Sequence, residues 1–107
     1  MSPEKSLFSK IIDREIPANF IYEDEKCIVI NDINPKAPVH LLVIPKKPIA
    51  TLFDLTPEDK DVMGHMMLLL PQIAQSQGLD GFKTQINTGV SGGQEVFHIH
   101  IHLLGHR

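Results

Sequence analysis

Three histidines alternate with bulky apolar residues in the segment Phe97-His98-Ile99-His100-Ile101-His102-Leu103-Leu104. The unperturbed pKa of imidazole lies nearest neutrality, so the side chain can serve as nucleophile, acid or base at physiological pH. Strict period-two alternation is the pattern of a half-buried strand, on which successive side chains point to opposite faces. The pattern predicts Phe97, Ile99, Ile101 and Leu103 in the core and His98, His100 and His102 together on the other face. Neighbouring histidines would stand roughly 6.6 Å apart there. Such a row can present imidazoles to one small anionic group. Three solvent-facing histidines in strict alternation are a poor alternative. A zinc site is the other, since two imidazoles on a strand can share a metal. A third ligand is then needed, and no carboxylate lies within the segment; Glu95 falls in the loop before it. The expectation is no metal and no required cofactor.

The preceding loop, Asn87-Thr88-Gly89-Val90-Ser91-Gly92-Gly93-Gln94, favours a phosphate. Glycines let backbone N–H groups approach an oxyanion, and amide side chains add neutral donors. The glycines precede a strand and lack Gly-Lys-Ser/Thr, so this is not a P-loop.

These residues need a scaffold, and 107 residues suit one domain. Hydrophobic residues make up 42% and charged residues 21%, an ordinary globular balance. A formal charge of −3 gives no case for a nucleic-acid partner. No run approaches the ~18 apolar residues of a membrane span, and residues 1–10 carry no apolar signal core. Cys27 is the single cysteine, which fits a reducing compartment, so the expected location is the cytoplasm.

Ser6 can cap a helix over residues 7–14, ended by Glu15-Ile16-Pro17. Strands are expected at 20–22, 27–31, 40–44 and 82–87, with the histidine segment as the fifth. Cys27-Ile28-Val29-Ile30 is continuously apolar and suits a central strand. Thr56 as N-cap and Pro57 at the first helical position start a long helix to about residue 77, stopped by Gly78 and kinked at Pro71. The fold class is α+β, a mostly antiparallel five-stranded sheet with one short and one long helix packed against it. Met63, Met66, Met67 and Leu70 are more apolar surface than one helix face against a sheet requires, which predicts a homodimer.

The segment His98-Ile99-His100-Ile101-His102-Leu103-Leu104 resembles the motif of the histidine triad superfamily. Phe8-Ser9-Lys10-Ile11-Ile12, Glu15-Ile16-Pro17-Ala18, the stretch from Asp32 to His40, Val43-Ile44-Pro45-Lys46-Lys47 and Gly92-Gly93-Gln94 resemble its nucleotide-binding Hint branch. The resemblance spans nearly the whole chain. It implies one domain over residues 1–107, a homodimer with a sheet continuous across the interface, and a purine nucleotide site. The implied activity is hydrolysis of nucleoside phosphoramidates and acyl-adenylates. His100 matches the nucleophile, His102 the partner that contacts the phosphate, and His98 the support behind the nucleophile. His40 matches a further imidazole at the site. Asn87, Gly93, Gln94 and Glu95 match the loop around the phosphate and leaving group, and Asp32 the acid on the ribose. Phe8, Ile11, Ile30 and Ile33 match the apolar walls around the base. Read without the resemblance, those four are plain core and Asp32 is an Asx turn before Asn34-Pro35. Three features depart from the branch. Glu95 stands where a serine is common, His106 where a second glycine is common, and no tryptophan is present for the Trp-Pro-Pro-Gly tail of many relatives. Leaving-group preference therefore stays open. So do two alternatives, a dinucleoside polyphosphate hydrolase and a nucleotide-binding regulator without turnover.

Overall fold

The computed structural model describes residues 5–107. Five strands form one antiparallel sheet in the order β1-β2-β3-β5-β4: β1 is Phe20–Glu23, β2 Cys27–Asn31, β3 Val39–Pro45, β4 Lys83–Gln85 and β5 Ile101–Gly105. Helices α1 (Leu7–Ile12) and α2 (Lys60–Ser76) cover opposite faces. The period-two rule explains the split. Cys27, Val29, Leu41, Val43, Ile101 and Leu103 pack with α2, while Ile28, Ile30, Leu42 and Ile44 pack with Phe8 and Ile11 of α1. β2 and β3 are covered on both sides, which is why they read as unbroken apolar runs. His40 and His102 fall on the α1 face, because His102 pairs with Leu42 and His40 with Leu104. Among the described residues no helix is long and apolar enough to cross a membrane.

A side-chain cap starts α1, and a capping box braces the turn that leads into α2. Ser6 Oγ accepts from the Ser9 N–H at 3.0 Å. Asp59 accepts from the Thr56 N–H at 2.9 Å. Thr56 and Pro57 start a 3-10 turn over Pro57–Asp59, and α2 proper begins only at Lys60. Pro71 lies inside α2 without ending it. Gly78, at φ 76, closes it with the Leu79 N–H on the Ala74 carbonyl.

Several expected boundaries move. α1 ends at Ile12, two residues early, because Arg14 turns left-handed at φ 65 and the Glu15 N–H returns to the Lys10 carbonyl. Arg14 is held in that conformation by its guanidinium, which stacks 4.2 Å over Phe20 and pairs with Glu23. β4 is three exposed residues rather than six. The histidine segment is only half a strand. Its ladder starts at Ile101, since continuing the β3–β5 register would set Pro45, which has no N–H, opposite Ile99. The Ile99 N–H goes instead to the Ile49 carbonyl. Ile99, Ile101 and Leu103 are buried as expected, but Phe97 is 44% exposed. On α2, Met66 and Leu70 are covered by the chain's own sheet, whereas Met67 and Leu68 face outward.

Candidate active site

The break in the ladder at Pro45 shapes the site. With no β5 residue paired to Pro45, its carbonyl accepts from His98 Nε2 at 2.8 Å. That bond puts the proton of the neutral ring on Nε2 and leaves Nδ1 as an acceptor, facing the hydroxyls of Ser6 at 3.0 Å and Ser9 at 3.2 Å. The His98 backbone carbonyl in turn accepts from His100 Nδ1 at 2.8 Å. His100 therefore carries its proton on Nδ1, and Nε2 keeps a lone pair. Burial pushes the pKa of both rings down, and the ring of Phe8 lies edge-on to His100 at 4.9 Å. A neutral imidazole with an outward lone pair is a nucleophile.

The next histidine is set the other way. The Lys36 N–H donates to His40 Nδ1 at 3.0 Å, so the proton of neutral His40 is on Nε2. That proton points to His102 Nδ1 at 2.9 Å, with Asp32 Oδ2 at 3.3 Å from the same nitrogen. His102 Nδ1 is thus an acceptor, and the proton of its ring is on Nε2. Burial, with His100 and His40 beside it, lowers the His102 pKa. The His100 and His102 rings are 5.0 Å apart, so one lone pair and one N–H donor stand side by side on a single segment.

Asp32 supplies the carboxylate that the histidine segment lacked: Asp32, His40 and His102 bring one ligand atom each within 4.8 Å of one another. The tautomers argue against a metal there. A ligating histidine normally donates its other ring N–H to an acceptor. His40 instead accepts at Nδ1, so Nε2, the atom facing the cluster, holds a proton. Asp32 also forms the expected Asx turn, its Oδ1 accepting from the Asn34 N–H at 2.8 Å.

The glycine loop is braced from within. Gly93 has φ 86, and a Cβ at Gly92 would meet the Thr88 carbonyl at 2.2 Å, so both glycines are required by the backbone. Asn87 Nδ2 donates to the Gly92 carbonyl at 2.8 Å. Gln94 is buried, and its amide is consumed by backbone groups in and beyond the loop. Oε1 accepts from the Gly89 N–H, and Nε2 donates to the Ala50 and Val96 carbonyls. Gln94 thus differs from the expected phosphate donor, because both hydrogens of its amide are already spent. Glu95 is exposed. Phe8, Ile11 and Ile30 form a buried floor beside the histidines, while Ile33 stands apart from it at 88% exposure.

The orienting groups were the residues missed. Lys36 and Pro45 act through backbone atoms, which residue type does not advertise. Ser6 was legible only as a cap, and Ser9 only as part of a resemblance. A second cluster lies on the α2 side, where Asp24 accepts from the Tyr22 hydroxyl, the Lys26 and Cys27 amides and His65 Nε2. Burial alone would raise the Asp24 carboxyl, but His65, Tyr22 and the two amides outweigh it and hold it well below the usual range. Burial pushes the Cys27 thiol up to about 12, which removes it as a nucleophile at neutral pH. With every Asp24 oxygen engaged, this cluster ties the β1–β2 turn to α2.

Comparison with known proteins places the chain in a family. The family model described as scavenger mRNA decapping enzyme C-terminal binding matches residues 5–107. Protein HitA of Neisseria gonorrhoeae is 52% identical over 103 residues, covering 95% of this chain and 96% of HitA. The chain belongs to the histidine triad (HIT) family. An Escherichia coli relative, named purine nucleoside phosphoramidase, is 44% identical over 106 residues, 97% of this chain and 89% of that one. The crystal structure of a HIT family hydrolase from Legionella pneumophila superposes with a TM-score of 0.93 at 44% identity, covering 96% of this chain and 94% of its own. The two-sided sheet with one short and one long helix is thus the HIT fold.

Proposed function

We propose that this HIT protein is a hydrolase that cleaves the P–N bond of purine nucleoside phosphoramidates through a nucleotidyl-His100 intermediate. The observation that carries this reading is the pairing of opposite tautomers on one segment: His100 with an outward lone pair, His102 with an outward N–H. In the first step His100 Nε2 bonds to phosphorus and the P–N bond breaks. The leaving nitrogen takes the pair of that bond and a proton from His102 Nε2. The positive charge formed on the His100 ring offsets the proton His102 gives up. In the second step water attacks phosphorus, its proton returns to His102 Nε2, and neutral His100 leaves with the nucleoside monophosphate released. Acyl-adenylates would undergo the same attack, with the carboxylate leaving unaided; His102 then keeps its Nε2 proton, and the proton of the water that attacks in the second step passes to solvent.

The Glu95 backbone N–H and the second Asn87 amide hydrogen would meet the phosphoryl oxygens, since the Gly93 and Gln94 N–H groups already donate to the Val90 and Gly89 carbonyls. Charge that develops there is stabilised by donors already in place. Phe8, Ile11, Ile30 and Ile33 would flank the base, and Asp32 would accept from the ribose hydroxyls. The naming of the E. coli relative supports the purine and the P–N bond. The scheme uses no metal or other cofactor, because the Lys36 N–H on His40 Nδ1 leaves a proton on the His40 nitrogen that faces Asp32 and His102. A homodimer joined through α2 and the β4 edge completes the proposal.

The test is incubation with an adenosine phosphoramidate and, separately, with a diadenosine polyphosphate, each in the parent protein and in His100→Ala. The parent should release AMP from the phosphoramidate and give an adenylylated His100 on rapid acid quench and mass spectrometry. His100→Ala should bind AMP but turn over at least ~10²-fold more slowly. Preferential cleavage of the polyphosphate would replace the P–N reading, and AMP binding without turnover of either would make the protein a nucleotide-binding regulator.

A further inference from the structure

We infer that Ser6 and Ser9, at the start of α1, are positioning residues of the triad: their hydroxyls hold His98 in place behind the nucleophile. His98 is 1% exposed, and a buried ring nitrogen without a partner is costly. With Nε2 donating to the Pro45 carbonyl, Nδ1 is an acceptor that needs a hydrogen, and among the described residues only hydroxyls reach it, Ser6 Oγ at 3.0 Å and Ser9 Oγ at 3.2 Å. These bonds matter beyond the ring. The same residue's carbonyl accepts from His100 Nδ1, so a shift of His98 moves the group that aims the nucleophile. Phe8, between the two serines in sequence, touches both rings, at centroid distances of 6.2 Å to His98 and 4.9 Å to His100. One turn of α1 thus backs the whole first half of the triad. Ser6 has a double part, because its Oγ also accepts from the Ser9 N–H as the cap of α1. The strand ladder cannot supply this support, since it begins only at Ile101.

The inference rests on His100 as nucleophile for its kinetic arm and on geometry alone for its spectroscopic arm. The variants are Ser9→Ala, which leaves the cap acceptor in place, the double variant S6A/S9A, and Ser6→Thr, which keeps hydroxyl and cap. Each is measured by steady-state kinetics on an adenosine phosphoramidate, by AMP affinity, and by nitrogen-15 NMR of the His98 and His100 rings. Displacing a catalytic group by a fraction of an ångström to 1 Å costs up to about 10²-fold, so S6A/S9A should lose ~10-fold or more in kcat with KM and AMP affinity within about twofold. Ser9→Ala should lie between, and Ser6→Thr near the parent. In S6A/S9A the His98 Nδ1 resonance should move toward that of a nitrogen without a donor, and the His100 Nδ1–H should exchange with water at least tenfold faster. Parent-like kcat and exchange in S6A/S9A would overturn the inference. So would equal loss of AMP affinity, or failure of Ser6→Thr to restore activity, since either points to a purely structural role. If the parent itself lacks phosphoramidase activity, the proposed reaction falls while the ring resonances still decide whether the serines hold His98.

Discussion

Replacing His40 by leucine would separate the two jobs assigned to His102. His40 does not stand at the reacting bond in the proposed mechanism; it fixes which nitrogen of His102 carries the proton. Its Nε2–H is 2.9 Å from His102 Nδ1, and the Lys36 N–H, 3.0 Å from His40 Nδ1, holds the donating tautomer. Leucine fills the space and removes the donor. His102 Nδ1 then loses its partner in a half-buried setting, and an unsatisfied acceptor there costs ~1–3 kcal/mol, most of which is recovered if the ring proton moves to Nδ1. That shift empties Nε2 of its proton. At 1.4 kcal/mol per tenfold, the population of the competent tautomer falls roughly 5- to 150-fold. Only a leaving group that needs a proton should feel this. Turnover of an alkylamine phosphoramidate should therefore drop by that factor, while an acyl-adenylate, whose carboxylate departs without a proton, should keep most of its rate. Stopped-flow measurement of AMP release from both substrates gives the ratio directly. An equal loss for the two leaving groups would refute the reasoning and make His40 a phosphate contact; no loss for either would remove the relay of tautomers altogether.

The acid limb of kcat/KM should lie below the ordinary histidine pKa of about 6.5, because burial lowers His100 and the reaction needs it neutral; a pH–rate profile with its acid limb above that value would contradict the buried nucleophile. Asp24→Ala should cost ~1–3 kcal/mol, since it strips acceptors from two amides, Tyr22 and His65, and differential scanning calorimetry should show the melting temperature fall without loss of kcat at 25 °C. The sign with pH follows from a depressed carboxyl: the Asp24 contribution is complete above about pH 4, and it vanishes as pH falls through the lowered folded value, so parent and variant should converge in stability in strong acid. Light scattering should give twice the chain mass of 12.0 kDa, and Leu68→Glu on the outward face of α2 should give the single mass; a parent monomer would remove the proposed interface.

The parts of this molecule legible in its sequence are those written in side-chain period and size. Cys27-Ile28-Val29-Ile30 announced a central strand, and β2 lies inside the sheet between β1 and β3. The apolar members Ile99, Ile101 and Leu103 announced a core face, and they are buried. Misreadings gather where a backbone atom decides. Period alone ran the histidine strand back to Phe97, but Pro45 offers no N–H at that point of the ladder, so the strand begins at Ile101. Arg14 shortens α1 because a ring and a carboxylate from β1 hold it left-handed, a tertiary effect with no local signature. Gln94 looked like a phosphate donor by type, yet its amide is fully consumed by the backbone of Gly89, Ala50 and Val96.

The same distinction runs through the site. Identical side chains, His98, His100 and His102, could be named from the sequence as a set but not told apart by chemistry. Their differences come from what each neighbouring nitrogen meets: the Pro45 carbonyl, the His98 carbonyl, or a second imidazole. The ladder break is what makes those partners available. A strand continuous from residue 97 would have set the Pro45 carbonyl against the Ile99 N–H, and the His98 ring would have lost the acceptor that fixes its proton. The proline that frustrates the strand is therefore a condition for the triad: it frees one carbonyl for His98, and the displaced backbone at residues 98–100 lets a histidine donate to the carbonyl two residues before it. A site of this kind is encoded less in the histidines than in the places where regular structure stops.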